Sequence, residues 1–130
     1  MNTISDVIKN KPNLYFGKGV TEGEIDSAER DLNLSFSKDY KMYLLQYGLI
    51  SYDNHELTGL CNSHRLNVVC VTKEERKIHP QIPSDMYVIE QTNIDGIVIW
   101  QSSNGDIFQT AQNTMLMKIA DSLAEYIQSI

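Results

Sequence analysis

The sequence predicts one α+β domain over residues 1–130. We expect N-terminal helices, then a mostly antiparallel sheet of about five to six strands, and a C-terminal helix packed on that sheet. Two observations predict this order. Apolar residues recur at helical spacing before Gly48 and again in the last segment, and between these regions the period changes to two. The proportions of 42% hydrophobic and 22% charged residues are typical of a globular domain.

Three helices are predicted before the sheet. The first is the short amphipathic stretch TISDVIKN. The second begins with the capping-box spacing of Thr21 and Glu24 and ends near Asn33. The third begins after Ser37, a favoured N-cap residue, and ends at Gly48, which tolerates the left-handed conformation of a helix stop. The buried face of the third helix is predicted to hold Tyr40, Tyr43, Leu44 and Tyr47.

After Gly48, short segments rich in β-branched and aromatic residues predict strands. These segments are HELTGL, RLNVVCV, MYVIEQ, GIVIWQ and DIFQT. The turn sequences NIDG and SSNGD favour tight hairpins, so we expect the last three strands to form an antiparallel meander. Trp100 lies on a segment that is apolar on both faces. This pattern indicates a central strand and favours a core position for Trp100 over stacking on a ligand.

Two further helices are predicted in the second half of the chain. Thr72 and Glu75 repeat the capping-box spacing, which predicts a short helix in TKEERKIHP that ends at Pro80. The closing segment TMLMKIADSLAEYIQSI carries an apolar stripe at helical spacing and predicts the C-terminal helix. The stripe consists of Met115, Leu116, Ile119, Ala120, Leu123, Tyr126 and Ile127.

The charge and the cysteines restrict the class of protein. Eleven Lys and Arg against seventeen Asp and Glu leave a formal net charge of -6, which disfavours direct binding of nucleic acid and favours a basic protein surface. Cys61 and Cys70 form no CxxC pair, so we expect buried free thiols in a reducing cytosol. Without a signal-like or membrane-spanning apolar run, the chain is expected to be cytoplasmic.

Asp53, His55 and Glu56 are the best catalytic candidates in the sequence. On an extended chain Asp53 and His55 share one face while Glu56 points to the other, so we favour a polar loop over an active site. No G-x-S-x-G nucleophile motif is present. A metal site would draw on His55, Cys61, His64 and His79, but their spacing matches no common zinc pattern, and we expect neither metal nor cofactor.

Acidic residues are the remaining signal. Six of them fall at predicted strand ends and hairpin tips, where exposure is expected: Asp53, Glu56, Asp85, Glu90, Asp95 and Asp106. Such charges form either a solvated face or a docking surface for a basic partner.

In order along the chain, these features resemble the SUKH superfamily, the Smi/Knr type. The match runs through EIDSAERDLNLSFSKDYKMYLLQYG, the strand HELTGL, the hairpin region YVIEQTNIDGIVIWQSSNGDIFQTAQ and the closing IADSLAEYI. It covers nearly the whole chain. Ser37 stands where the family has proline, and a serine N-cap can start the same helix.

The resemblance implies a bacterial immunity protein that binds the C-terminal toxin domain, often a nuclease, of a polymorphic or contact-dependent toxin. Eukaryotic relatives imply the alternative, a regulatory or scaffolding module in cell-wall assembly. Either role is non-enzymatic and leaves the oligomeric state open. The candidate contacts with a basic partner are Asp53, His55, Glu56, Glu90, Asp95 and Asp106.

Overall fold

The chain combines helices with antiparallel strands in the computed structural model, which describes residues 3–112 and 114–130. The helices of this described part are α1 (Ile4–Lys9), α2 (Glu22–Leu32), α3 (Lys38–Tyr47), a 3₁₀ turn (His64–Leu66), α4 (Val68–Ile78) and α5 (Leu123–Ser129). Its strands are β1 (Tyr15–Phe16), β2 (Ile50–Tyr52), β3 (His55–Glu56), β4 (Tyr87–Gln91), β5 (Val98–Gln101), β6 (Ile107–Thr110) and β7 (Met117–Ala120). The predicted α+β class with a C-terminal helix is confirmed.

The strands form two sheets rather than the one sheet that was predicted. One has the order β1-β2-β3, and the other is the meander β4-β5-β6-β7. Every strand pair is antiparallel. The sheets meet where Leu57 bridges Glu90 and the Thr58 amide donates to the Ile89 carbonyl at 2.8 Å. This junction places the β2–β3 hairpin beside β4.

The N-terminal helices begin and end where the sequence predicts. Both halves of the capping box between Thr21 and Glu24 are formed, and Asn33 ends α2 in the left-handed conformation. The Ser37 hydroxyl accepts from the Tyr40 amide at 3.2 Å, and α3 ends at Gly48 with φ of 75°. The four residues predicted for the inner face of α3 are all buried. These boundaries depend on contacts within a few residues.

The predicted strand RLNVVCV is wrong, because most of it belongs to α4. The Asn67 side chain accepts from the amides of Val69 and Cys70 and starts this helix five residues before Thr72. Thr72 and Glu75 are therefore buried inside the helix and form no capping box. Val68, Val71, Thr72 and Glu75 are spaced as one helical face, which a short apolar run does not distinguish from a strand.

The predicted closing helix is wrong in its first half. Met117–Ala120 is β7, and α5 begins only at Leu123, after Ser122 accepts from the Glu125 amide at 3.1 Å. Leu116 packs against the Trp100 cluster, while Met115 and Met117 on either side of it stay exposed, and burial within β7 is confined to Ala120. This segment is a strand because it pairs with β6, although its apolar residues recur at helical spacing.

Buried apolar residues gather on both faces of the meander. The larger cluster fills the space between the meander, the three-stranded sheet and helices α1, α2, α3 and α5. The smaller one joins Val71 of α4 to Met86, Val88, Val98 and Trp100. Strand β5 lies between β4 and β6, and Trp100 is fully buried with its indole donating to the Thr110 hydroxyl at 3.0 Å. The central strand and the core role of Trp100 are confirmed. No described helix is long and apolar enough to cross a membrane.

Candidate functional site

The β2–β3 hairpin carries the three residues that the sequence singles out for chemistry. Tyr52 pairs with His55 and Ser51 with Glu56, so the tight turn falls at residues 53–54. Asp53 adopts a positive φ of 49° in this turn, and its carboxylate accepts from the Asn13 side chain at 3.0 Å. The loop is thus held on one side by the segment that precedes β1.

His55 connects the hairpin to a buried carboxylate. Its Nδ1 lies 2.9 Å from Oε2 of Glu90, and the Tyr126 hydroxyl donates to Oε1 of Glu90 at 2.5 Å. The prediction that Glu90 is exposed is wrong, since its exposed fraction is 2%. Strand β4 is covered on both faces, so this carboxylate holds the hairpin and α5 together instead of facing solvent.

Two other acidic candidates already have cationic partners. Glu56 accepts two hydrogen bonds from the Arg65 guanidinium, at 2.7 and 3.0 Å, and these bonds lower the pKa of the Glu56 carboxyl. Asp106 lies 3.3 Å from the ammonium of Lys118, which also contacts Asp121 at 2.8 Å. Their charges are therefore partly neutralised within the chain.

The hairpin groups do not converge on a common point. Asp53 binds Asn13, His55 binds Glu90, and Glu56 binds Arg65. The nearby phenols of Tyr52 and Tyr126 have pKa values raised above the ordinary range, chiefly by burial, so both stay protonated at neutral pH. This arrangement suits a rigid recognition edge better than proton transfer.

Asp53, Asp85 and Asp95 remain as free acidic candidates. All three side chains belong to exposed residues, and none has a basic group within 4 Å among residues 3–112 and 114–130. Asp95 lies in the β4–β5 turn, with φ of 53°, next to Gly96 with φ of 69°. These carboxylates are the ones that a basic partner could contact without displacing an internal cation.

The cysteines line a shallow groove instead of the core. Cys61 and Cys70 are free and only half-buried, so the prediction of buried thiols is wrong. They border an open cavity of about 420 Å³ between α2 and α4, whose rim includes Glu24 and Asp31. In the described part of the chain, no three His, Cys, Asp or Glu residues gather as metal ligands.

A second cavity, of about 290 Å³, lies between the end of α4 and the β4–β5 turn. Its lining includes Glu75, which is 7% exposed and accepts from the Gln91 side chain at 2.8 Å. The site was not predicted from the sequence, because the capping-box spacing of Thr72 and Glu75 assigned Glu75 to the cap of a helix. The helical spacing of Glu75 with Val68 and Val71 is the signal that could have found it.

Comparison with known proteins identifies the family. The family model SUKH_5, described as "SMI1-KNR4 cell-wall", matches residues 1–130. The chain therefore belongs to the SUKH superfamily, as its motifs indicate, and this superfamily includes immunity proteins as well as Smi1/Knr4-like members. No curated protein matches the chain.

Proposed function

We propose that this chain is a non-enzymatic, cytoplasmic immunity protein that binds and neutralises the C-terminal toxin domain of a polymorphic or contact-dependent toxin. The observation that carries the proposal is the match to the SUKH family along residues 1–130, because that family includes immunity proteins. A nuclease domain fits best as the toxin, since a nuclease must itself attract phosphate and is often basic.

The geometry of the hairpin supports a binding role over a catalytic one. Its imidazole and carboxylates are each engaged by a separate internal partner. Such bonds preorganise a surface, which lowers the entropy that association costs.

The charge supports a basic partner. The net charge of -6 gives steered, fast association with a positively charged surface. Asp53, Asp85 and Asp95 offer exposed carboxylates without an internal cation. Of the remaining candidates, His55, Glu56 and Asp106 lie at the surface in internal pairs, and buried Glu90 supports His55.

The test is growth rescue. The proposal predicts that an adjacent gene encodes the toxin domain. That domain is induced in a laboratory bacterium with and without this protein, and binding of the two purified proteins is measured by calorimetry. Rescue with tight one-to-one binding is expected. Charge reversal by Asp53→Lys and Asp95→Lys should weaken binding at least tenfold, while Glu22→Lys on the exposed start of α2 serves as the charge-matched control. Absence of both rescue and binding would refute the proposal.

The family's cell-wall description favours one alternative, a regulatory or scaffolding module of cell-wall assembly. This role predicts a gene without an adjacent toxin. It also predicts a growth or wall defect on deletion when no toxin is present. Normal growth of the deletion strain until a toxin is supplied would exclude it.

A further inference from the structure

The cavity between α4 and the β4–β5 turn combines one buried carboxylate with apolar walls. Its polar lining comes from Glu75, His79, Gln91, Asn93 and Gln112, and its apolar lining comes from Ile78, Ile97 and Val98. The volume of about 290 Å³ is at the lower limit of small-molecule sites. A single long side chain fits such a volume better than a whole metabolite.

In the described part of the chain, Glu75 has no cationic partner within ion-pair distance, although His79 lines the same cavity. Its carboxylate accepts one hydrogen bond from Gln91 Nε2, and among the described residues no Lys, Arg or His nitrogen lies within 4 Å of it. The Glu75 residue is only 7% exposed, and a buried carboxylate is stabilised by a cation that comes with its own hydrogen-bond donors. Buried Glu90 differs from Glu75, because the His55 imidazole lies 2.9 Å from the Glu90 carboxylate.

The position of Glu75 on α4 increases this demand for positive charge. It lies one turn from the C-terminal end of the helix, where the backbone carbonyls contribute partial negative charge. The adjacent Arg76 is directed elsewhere, with its guanidinium donating to the carbonyls of Ser84 and Met86 at 2.9 and 3.4 Å. The Glu75 carboxylate is therefore available to a cation from another molecule.

Ile78 lines the cavity, and further exposed residues lie in the adjacent β4–β5 turn. Ile78 is 68% exposed there, and Ile94 in the neighbouring turn is 63% exposed. Asp95 of the same turn is exposed as well. Ile78 can cover the aliphatic stem of a basic side chain while the Glu75 carboxylate holds its charged end.

We infer that this cavity receives an arginine side chain of a basic protein partner. The guanidinium pairs with the Glu75 carboxylate, and the stem packs on Ile78. Arginine fits better than lysine because its planar fork can bind a carboxylate with two hydrogen bonds and is more easily stripped of water. That the partner is a toxin domain rests on the proposed function, whereas the preference for arginine rests on the cavity alone.

The first experiment uses a probe that needs no partner. Labelled protein is titrated with N-acetyl-arginine-methylamide and, separately, with the neutral citrulline analogue, while amide shifts are recorded by NMR. We expect saturable shifts at Gly96 and Val98 with a dissociation constant on the order of millimolar. The citrulline analogue should cause none.

Three variants test the contact. Glu75→Gln keeps a polar group for Gln91 and should abolish the shifts, while Glu22→Gln removes the same charge from an exposed site and should leave them unchanged. Ile78→Lys places a cation at the mouth of the cavity and should also block the probe. Because Ile78 is largely exposed, this variant preserves the test if Glu75→Gln does not fold.

The second experiment measures binding of the adjacent-gene toxin domain. At least a tenfold loss of affinity in Glu75→Gln or Ile78→Lys, without loss in Glu22→Gln, supports the inference. It is overturned if the arginine probe shifts no cavity amide, or if both cavity variants bind the toxin as the natural protein does. Probe binding with no toxin binding by the natural protein would refute the proposed function and the partner assigned here. The arginine preference of the cavity would stand.

Discussion

Nδ1 of His55 lies 2.9 Å from the carboxylate of Glu90 and joins the β2–β3 hairpin to the centre of the meander. The other oxygen of the same carboxylate accepts from Tyr126 at 2.5 Å, so α5 is attached at the same point. One buried side chain therefore fixes two elements that come from distant parts of the sequence.

The first prediction concerns this link. Glu90→Ala leaves His55 and the Tyr126 hydroxyl without their acceptor, and we expect it to lower the free energy of unfolding by about 2–4 kcal/mol. Urea unfolding at pH 7 measures the loss. Asp85→Ala, at an exposed carboxylate without an internal cation, should change stability by less than about 0.5 kcal/mol. Equal effects of the two substitutions would show that the link contributes nothing.

The second prediction concerns the close approach of Gly59 to the end of α3. A Cβ atom at Gly59 would lie 1.7 Å from the Gly48 carbonyl oxygen, so Gly59→Ala must displace backbone. A loss of at least about 2 kcal/mol is expected. At Gly23 in α2 the nearest atom is 3.9 Å away, and there the same substitution should stabilise by about 0.5–1 kcal/mol through helix propensity. Thermal unfolding of both variants tests this pair, and a Gly59→Ala protein of natural stability would contradict it.

The third prediction concerns alkaline pH. Burial raises the pKa of the Tyr40, Tyr43 and Tyr87 phenols, so each binds its proton more tightly in the folded than in the unfolded chain. Stability from this source is complete below about pH 10, the pKa of an unfolded tyrosine, and is lost as the pH rises further. The expected slope is about 1.4 kcal/mol per pH unit for each tyrosine.

Urea unfolding between pH 8 and pH 11, with phenolate absorbance recorded in parallel, measures this slope. Tyr40→Phe should reduce the contribution of the three tyrosines by about a third. Phenolate formation by these tyrosines in a chain that stays fully folded would contradict the prediction.

The fourth prediction tests the position of Thr72 inside α4. Its hydroxyl accepts from the Val88 amide at 3.0 Å and is fully buried. Thr72→Val keeps the shape but leaves that amide without a partner, at a cost of about 1–3 kcal/mol. Thr72→Ser retains the hydroxyl and should retain the protection of the Val88 amide from hydrogen exchange. If Thr72→Val leaves this protection unchanged, the bond to β4 does not form.

Features that depend on near neighbours could be predicted from the sequence. Thr21 and Glu24 define the start of α2, Ser37 starts α3 and Gly48 ends it, because each contact spans four residues or fewer. The antiparallel meander followed from turn residues, and the central position of Trp100 followed from a segment that is apolar on both faces. The ordered set of these features also identified the family.

Of the candidate site, the sequence identified Asp53, His55 and Glu56 and indicated that the three side chains do not all lie on one face. It did not reveal the partners that each side chain binds. Glu90, Arg65 and Asn13 come from other parts of the chain, and the burial of Glu90 depends on α5 closing over β4. The cavity at Glu75 was missed together with the true start of α4.

The sequence by itself therefore determined the caps, the turns, the order of most elements and the family. Tertiary structure decided whether the runs around Val68 and Met117 form a helix or a strand, because their apolar residues suit either one. In such runs the free energy comes from burial against neighbours and from backbone pairing, which exceed the small difference in local propensity. The tertiary structure also decided which carboxylates are buried, paired or free, because a side chain's surroundings are assembled from segments that are distant along the chain.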